Sequence, residues 1–102
     1  MGTRIQLHEK LLANFGDYHV YYQPPPTIKM EYPAIVYSLS NIRARHADDR
    51  AYLGYKRYTI IFIHRDPDVD HFDDMTSAFS MCSFERRYVA DNLYHDVYGI
   101  FY

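Results

Sequence analysis

The stretch YKRYTIIFIHRDPD, Tyr55 to Asp68, limits what this chain can fold into more than any other. It is the most apolar β-branched run in the sequence. In a strand, Tyr58, Ile60, Phe62 and His64 face one way and Thr59, Ile61, Ile63 and Arg65 the other, so both faces are mostly apolar. A strand of that kind belongs in the middle of a sheet, covered on both sides. Asp66-Pro67-Asp68 ends it, because proline removes a backbone donor and aspartate side chains favour turns.

The remaining segments can be placed around this strand. Thr3 can cap a helix in which Leu7, Leu11, Leu12 and Phe15 recur at helical spacing, with Gly16 stopping it in a left-handed conformation. A short strand, His19 to Gln23, runs into the stiff connector Pro24-Pro25-Pro26. Glu31 to Ser40 is a second strand, opened by Tyr32-Pro33. The polar segment that follows, Asn41 to Tyr55, lies between two strong strands and predicts a long protruding β-hairpin with its tip near Ala47 to Arg50. Beyond the central strand, Asp68 or Asp70 caps a short helix whose Phe72, Met75 and Phe79 form a core-facing stripe. Ser83 to Val89 and Tyr94 to Tyr102 are two further strands, turning at Ala90-Asp91-Asn92. The expected fold is one α+β domain over residues 1–102, with a mostly antiparallel sheet of about five strands and both helices on one face.

Composition narrows function. A chain of 102 residues supports one modest core, burying roughly 65% of its extended surface. Net charge is −2 and the pI about 6.3, so no global basic field attracts nucleic acid. Cys82 is the single cysteine, Met1-Gly2-Thr3-Arg4 leads into a polar segment, and no apolar run approaches the ~20 residues of a membrane helix. These features predict a protein made in the cytoplasm, with no membrane contact. The anomaly is aromatic content: 12 Tyr and 6 Phe without Trp. Tyrosine suits surfaces that are wet before assembly and buried after it, but strands favour it too.

Signs of catalysis or metal binding are weak. Asp66, Asp68 and Asp70 alternate like the opening of a calcium loop, but His71 stands where the loop needs glycine and Ser77 where it needs a bidentate glutamate. The six histidines lack zinc-site spacing, and Cys82 beside Met81 and Phe84 reads as a small core residue. His64 reads as a buried, hydrogen-bonded residue. No catalytic, cofactor-binding or metal-ligating residues are expected. Arg43, Arg45, Arg50, Lys56 and Arg57 interleave with Tyr52, Tyr55 and Tyr58, a pattern that fits single-stranded nucleic acid or ion pairs between subunits; Asp48 and Asp49 favour the latter.

The phrases VYYQPPP, YPAIVYSLSNIRARHADDRAYLGYKRYTIIFIHRDPD and CSFERRYVADNLYHDVYGIFY resemble a family of small tailed-bacteriophage proteins of the tail-terminator or tail-completion type, encoded among head-tail joining genes. The resemblance runs from about Val20 to Tyr102. Its most specific parts are RDPD at Arg65 to Asp68 and ADNL at Ala90 to Leu93, while Thr76 to Met81 departs from the pattern. It implies a non-enzymatic virion protein whose relatives form a hexameric ring. Such a ring caps the tail-tube protein, meets the head-side connector, and lets DNA pass through its lumen without specific binding. On that reading the hairpin crosses to the adjacent protomer. Its arginines, Arg43, Arg45, Arg50 and Arg57, then meet acidic residues there, among them Asp66, Asp68 and Asp70, and Asp48, Asp49, Tyr52 and Tyr55 belong to the same subunit interface. The alternatives are a head-closure or connector-adaptor protein and a small nucleic-acid-binding protein.

Overall fold

The structure, a computed structural model, describes residues 3–24, 27–41 and 56–102, with only the backbone of Asn41. The chain runs α1 (Arg4–Asn14), β1 (His19–Tyr22), β2 (Ala34–Asn41), β3 (Arg57–His64), α2 (Phe72–Ala78), β4 (Cys82–Ala90) and β5 (Leu93–Phe101). The strands form one sheet in the order β1-β2-β3-β5-β4, antiparallel except where β1 lies parallel to β2. This is the expected α+β architecture, with the apolar strand β3 at its centre. Residues 42–55 lie outside the described residues, and with them the hairpin arm and its tip. At the base of that segment β2 and β3 pair antiparallel, from Ala34 opposite Ile63 to Asn41 opposite Arg57, with a bulge between Leu39 and Asn41.

Register explains the layering. Residues paired across strands share a face, so Ile35, Tyr37, Ile60, Phe62, Tyr98 and Ile100 form one surface. Both helices lie on it: Leu7 and Leu11 from α1 and Met75 from α2 join these residues in a single buried core, with Phe15 and Phe79. The opposite face carries Val36, Thr59, Ile61, Ile63 and Val97, and neither helix packs there. Cover on this second face is partial: Ile63 and Val97 are buried, while Thr59 and Ile61 are half-buried. Two short helices supply one layer, and their apolar stripes are used up on the first face.

Several local expectations change for packing reasons. Thr3 does cap α1, accepting from the Gln6 backbone N–H at 3.2 Å while the Gln6 side chain accepts from the Thr3 N–H. The helix ends at Asn14, with Phe15 as its C-cap and no left-handed glycine, because the Phe15 ring turns in to meet Phe62 edge-on at 4.9 Å. Leu7, Leu11 and Phe15 are spaced at i, i+4 and i+8 and are buried, which rotates Leu12 out to 46% exposure. Phe72 is likewise exposed while Met75 and Phe79 are buried, so α2 presents a narrower stripe than its sequence implies. The β4–β5 turn is a two-residue loop with Asp91 and Asn92 both at positive φ, which matches the right-handed twist of the flanking strands.

Much of the tyrosine excess belongs to the core. Tyr37, Tyr58 and Tyr98 are almost fully buried. Tyr37 satisfies its hydroxyl at the α1 boundary, 2.7 Å from His8 Nδ1. Leu11→Ala should therefore cost about 2–5 kcal/mol by opening a cavity. Leu12→Ala should stay within about 0.5 kcal/mol. Urea denaturation of the two variants checks this, and equal losses would mean that the helix face is wrongly assigned.

Candidate functional site

Strand β5 carries a charged residue, Asp96, on the helix-covered face between the core positions Phe62 and Tyr98. Its carboxylate is 1% exposed and is surrounded from two strands. His64, at the end of β3, places Nε2 2.8 Å from Asp96 Oδ2. Arg87, opposite Asp96 on β4, donates from Nε to Oδ1 and from Nη2 to Oδ2, the latter at 2.9 Å. The same guanidinium donates to the carbonyls of Pro67 at 2.8 Å and Val69 at 2.5 Å. One arginine thus ties the edge strand, the buried carboxylate and the RDPD loop together.

Burial alone would push the Asp96 carboxyl up, but hydrogen bonds from Arg87 and His64 and their charge overcome it and hold it below the usual carboxylate range. The arrangement is charge-balanced: Arg87 neutralises Asp96, and an ionised Asp96 fixes the His64 proton on Nε2. Next to it, burial pushes the Tyr18 phenol up to about 12 and His71 down, so Tyr18 stays protonated and donates to His71 Nε2 at 2.6 Å. The His71 ring stacks on Phe62 at 4.3 Å and meets His64 edge-on at 6.0 Å. Burial also pushes the Cys82 thiol up to about 11, which keeps it protonated beside the core.

Of the residues the sequence singles out, Arg43, Arg45, Asp48, Asp49, Arg50, Tyr52 and Tyr55 lie outside the described residues. Arg57 pairs within its own chain, 2.5 Å from Glu85, crossing β5 over Gly99. A Cβ at Gly99 would stand 2.4 Å from Glu85 Oε2 and 2.8 Å from Arg57 Nη2, so this glycine lets the ion pair lie against the sheet. Asp66 accepts from the Asp68 backbone N–H at 3.0 Å and Asp70 from that of Phe72 at 3.2 Å, so both shape the loop, while Asp68 is exposed. His64 is buried and hydrogen-bonded as expected, but its partner is Asp96, not its sequence neighbour Asp66. Asp96 and Arg87 escaped the sequence reading. The available signal was a lone carboxylate inside the apolar run of β5.

Among the described residues, no helix is long and apolar enough to cross a membrane. No family model matches the chain, and neither does any curated protein or solved structure.

The titration of Asp96 has a defined sign. Its folded pKa is depressed, so its stabilising contribution is complete above about pH 4, the range of a free carboxyl, and is lost as pH falls through the folded value. Asp96→Asn should lower unfolding free energy at neutral pH by about 3 kcal/mol or more, because it leaves Arg87 and His64 without their anion. It should also flatten the acid limb of the stability profile. Denaturant titrations across pH read both effects, and unchanged stability in the variant would contradict the balance described.

Proposed function

We propose that this chain is a structural virion protein of a tailed bacteriophage that forms a ring, of about six subunits, terminating the tail tube and joining it to the head-side connector. It acts by shape and contact, without catalysis, and DNA passes through the lumen without being gripped. Its place is the tail or neck of the virion, after assembly in the host cytoplasm.

One observation of the fold carries most weight beside the resemblance at RDPD and ADNL. Among the described residues, the large exposed apolar side chains divide between the two opposite edges of the sheet. At the β1 edge stand Ile28 and Tyr32, in the connection to β2, with Ile5 and Leu12 on α1, which packs beside β1. At the β4 edge stand Phe84, Tyr88 and Val89, with Phe72 on α2, which packs beside β4. A closed ring needs two different patches on each subunit, since its interfaces run head to tail, whereas a two-fold dimer needs one self-complementary patch. Exposed apolar surface at both ends of one domain fits the ring. The charged segment 42–55 supplies polar contacts of the kind that rim such interfaces.

Light scattering of the purified chain, alone and mixed with the tail-tube protein of its own phage, tests this. The expected result is a particle of about six subunits, or a monomer that reaches that size when the tube protein is added. A monomer indifferent to tail proteins contradicts it. Binding that requires DNA and weakens steeply with salt would replace it with the nucleic-acid reading.

A further inference from the structure

At the β4 edge, Asp70, Phe72, Asp73, Phe84 and Tyr98 line a cavity of about 390 Å³. Two of its walls are exposed rings: Phe72, and Phe84 meeting Tyr98 edge-on at 5.2 Å. Tyr98 itself is fully buried, and its hydroxyl has no hydrogen-bond partner among the described residues. The His71 backbone comes near that hydroxyl without the geometry of a hydrogen bond. Burial pushes the phenol up to about 12, so the group stays neutral, and it is the Tyr98 ring that contributes to the wall. Two carboxylates complete the lining. Asp70 commits one oxygen to the Phe72 backbone N–H, and the Asp73 side chain has no partner among the described residues.

Aromatic walls and two carboxylates together define what fits. The occupant needs an apolar stem to cover the rings, a planar cationic head that can lie over an aromatic face, and several donors in a fork. Arginine has all three. A lysine would bring the charge without the fork, and an anion would meet Asp70 and Asp73.

We infer that this cavity is the receptor for an arginine of segment 42–55 from a neighbouring copy of the chain, one of Arg43, Arg45 and Arg50. The inference rests on the ring reading and sharpens it. Of the acidic residues between Asp66 and Asp74, Asp66 is used within its own loop, whereas Asp70 and Asp73 frame an opening. Charge complementarity favours this occupant: the segment holds three arginines, and the cavity presents carboxylates beside the exposed rings of the β4 edge. It also gives the exposed Phe72 and Phe84 a use that the core does not.

The test uses the full-length chain with Arg43, Arg45 and Arg50 all changed to Gln, so that its own segment does not compete, and a synthetic peptide of residues 41–56 as the probe. Amide NMR shifts at Asp70, Asp73, Phe84 and Tyr98 should move and saturate on titration. Asp70→Asn with Asp73→Asn should weaken binding at least about tenfold, as should a peptide with Gln at all three arginine positions and a rise in salt from about 50 to about 500 mM. Asparagine at position 70 can still accept from the Phe72 N–H, so the fold is kept. Absence of shifts at these amides, or equal affinity for the Asn variant, overturns the inference. So does a change at the same amides on making the arginine substitutions in dilute monomer, since the segment would then fill its own cavity. Peptide binding by a chain that forms no ring with tube protein would remove the ring reading and leave this contact. A ring that assembles unchanged with both aspartates replaced would do the reverse.

Discussion

Taking a carboxylate out of water in the middle of a sheet costs on the order of several kcal/mol unless donors surround it. Asp96 meets that condition by drawing on the last residue of β3, the edge strand β4 and, through the far side of Arg87, the loop that follows β3. The hydrogen-bond geometry explains why the central partner is arginine. Lysine could neutralise the charge, but only the guanidinium fork reaches the carboxylate and two backbone carbonyls at once. The RDPD loop therefore takes its shape from a residue about twenty positions away, with Asp66 and Asp70 adding local turn hydrogen bonds from the Asp68 and Phe72 N–H groups.

The functional reading depends on that clamp. Asp70 and Phe72 follow directly on the loop that Arg87 holds, while Phe84 lies on the same strand as Arg87. A receptor for a neighbouring side chain must be in place before the neighbour arrives, or the ordering cost comes out of the binding energy. The buried charge cluster fixes the loop against the edge strand, and the exposed apolar groups at the two ends of the sheet then face outward in a defined geometry. On the proposed ring reading, this clamp is what links fold to assembly.

Strand content, element order and the central place of β3 were legible in the sequence, because β-branched runs and the Asp91-Asn92 turn are local signals. The face of each helix was less so. Leu12 and Leu11 are adjacent and chemically equal, and only the edge contact of Phe15 with Phe62 decides which of them is buried. The parallel pairing of β1 with β2 also depends on tertiary packing, whereas the placing of both helices on one face was expected. At the candidate site, His64 could be picked out as a polar residue on an apolar strand. Its partner could not, since Asp96 is remote in sequence and Arg87 lies among charged neighbours that look like solvated surface. Arg57, expected at a subunit interface, forms an ion pair with Glu85 within the chain, made possible by the bare backbone at Gly99.

Native-state hydrogen exchange on Arg87→Gln tests the central claim most directly, because it asks whether one guanidinium holds the loop in place. The account predicts that the Asp68 and Val69 amides, which bond back to Asp66, exchange much faster in the variant, while amides in the paired centre of β3 change only as far as global stability falls. Protection of those two loop amides equal to wild type, relative to the β3 amides, would contradict it and leave Arg87 as a surface charge with no organising role.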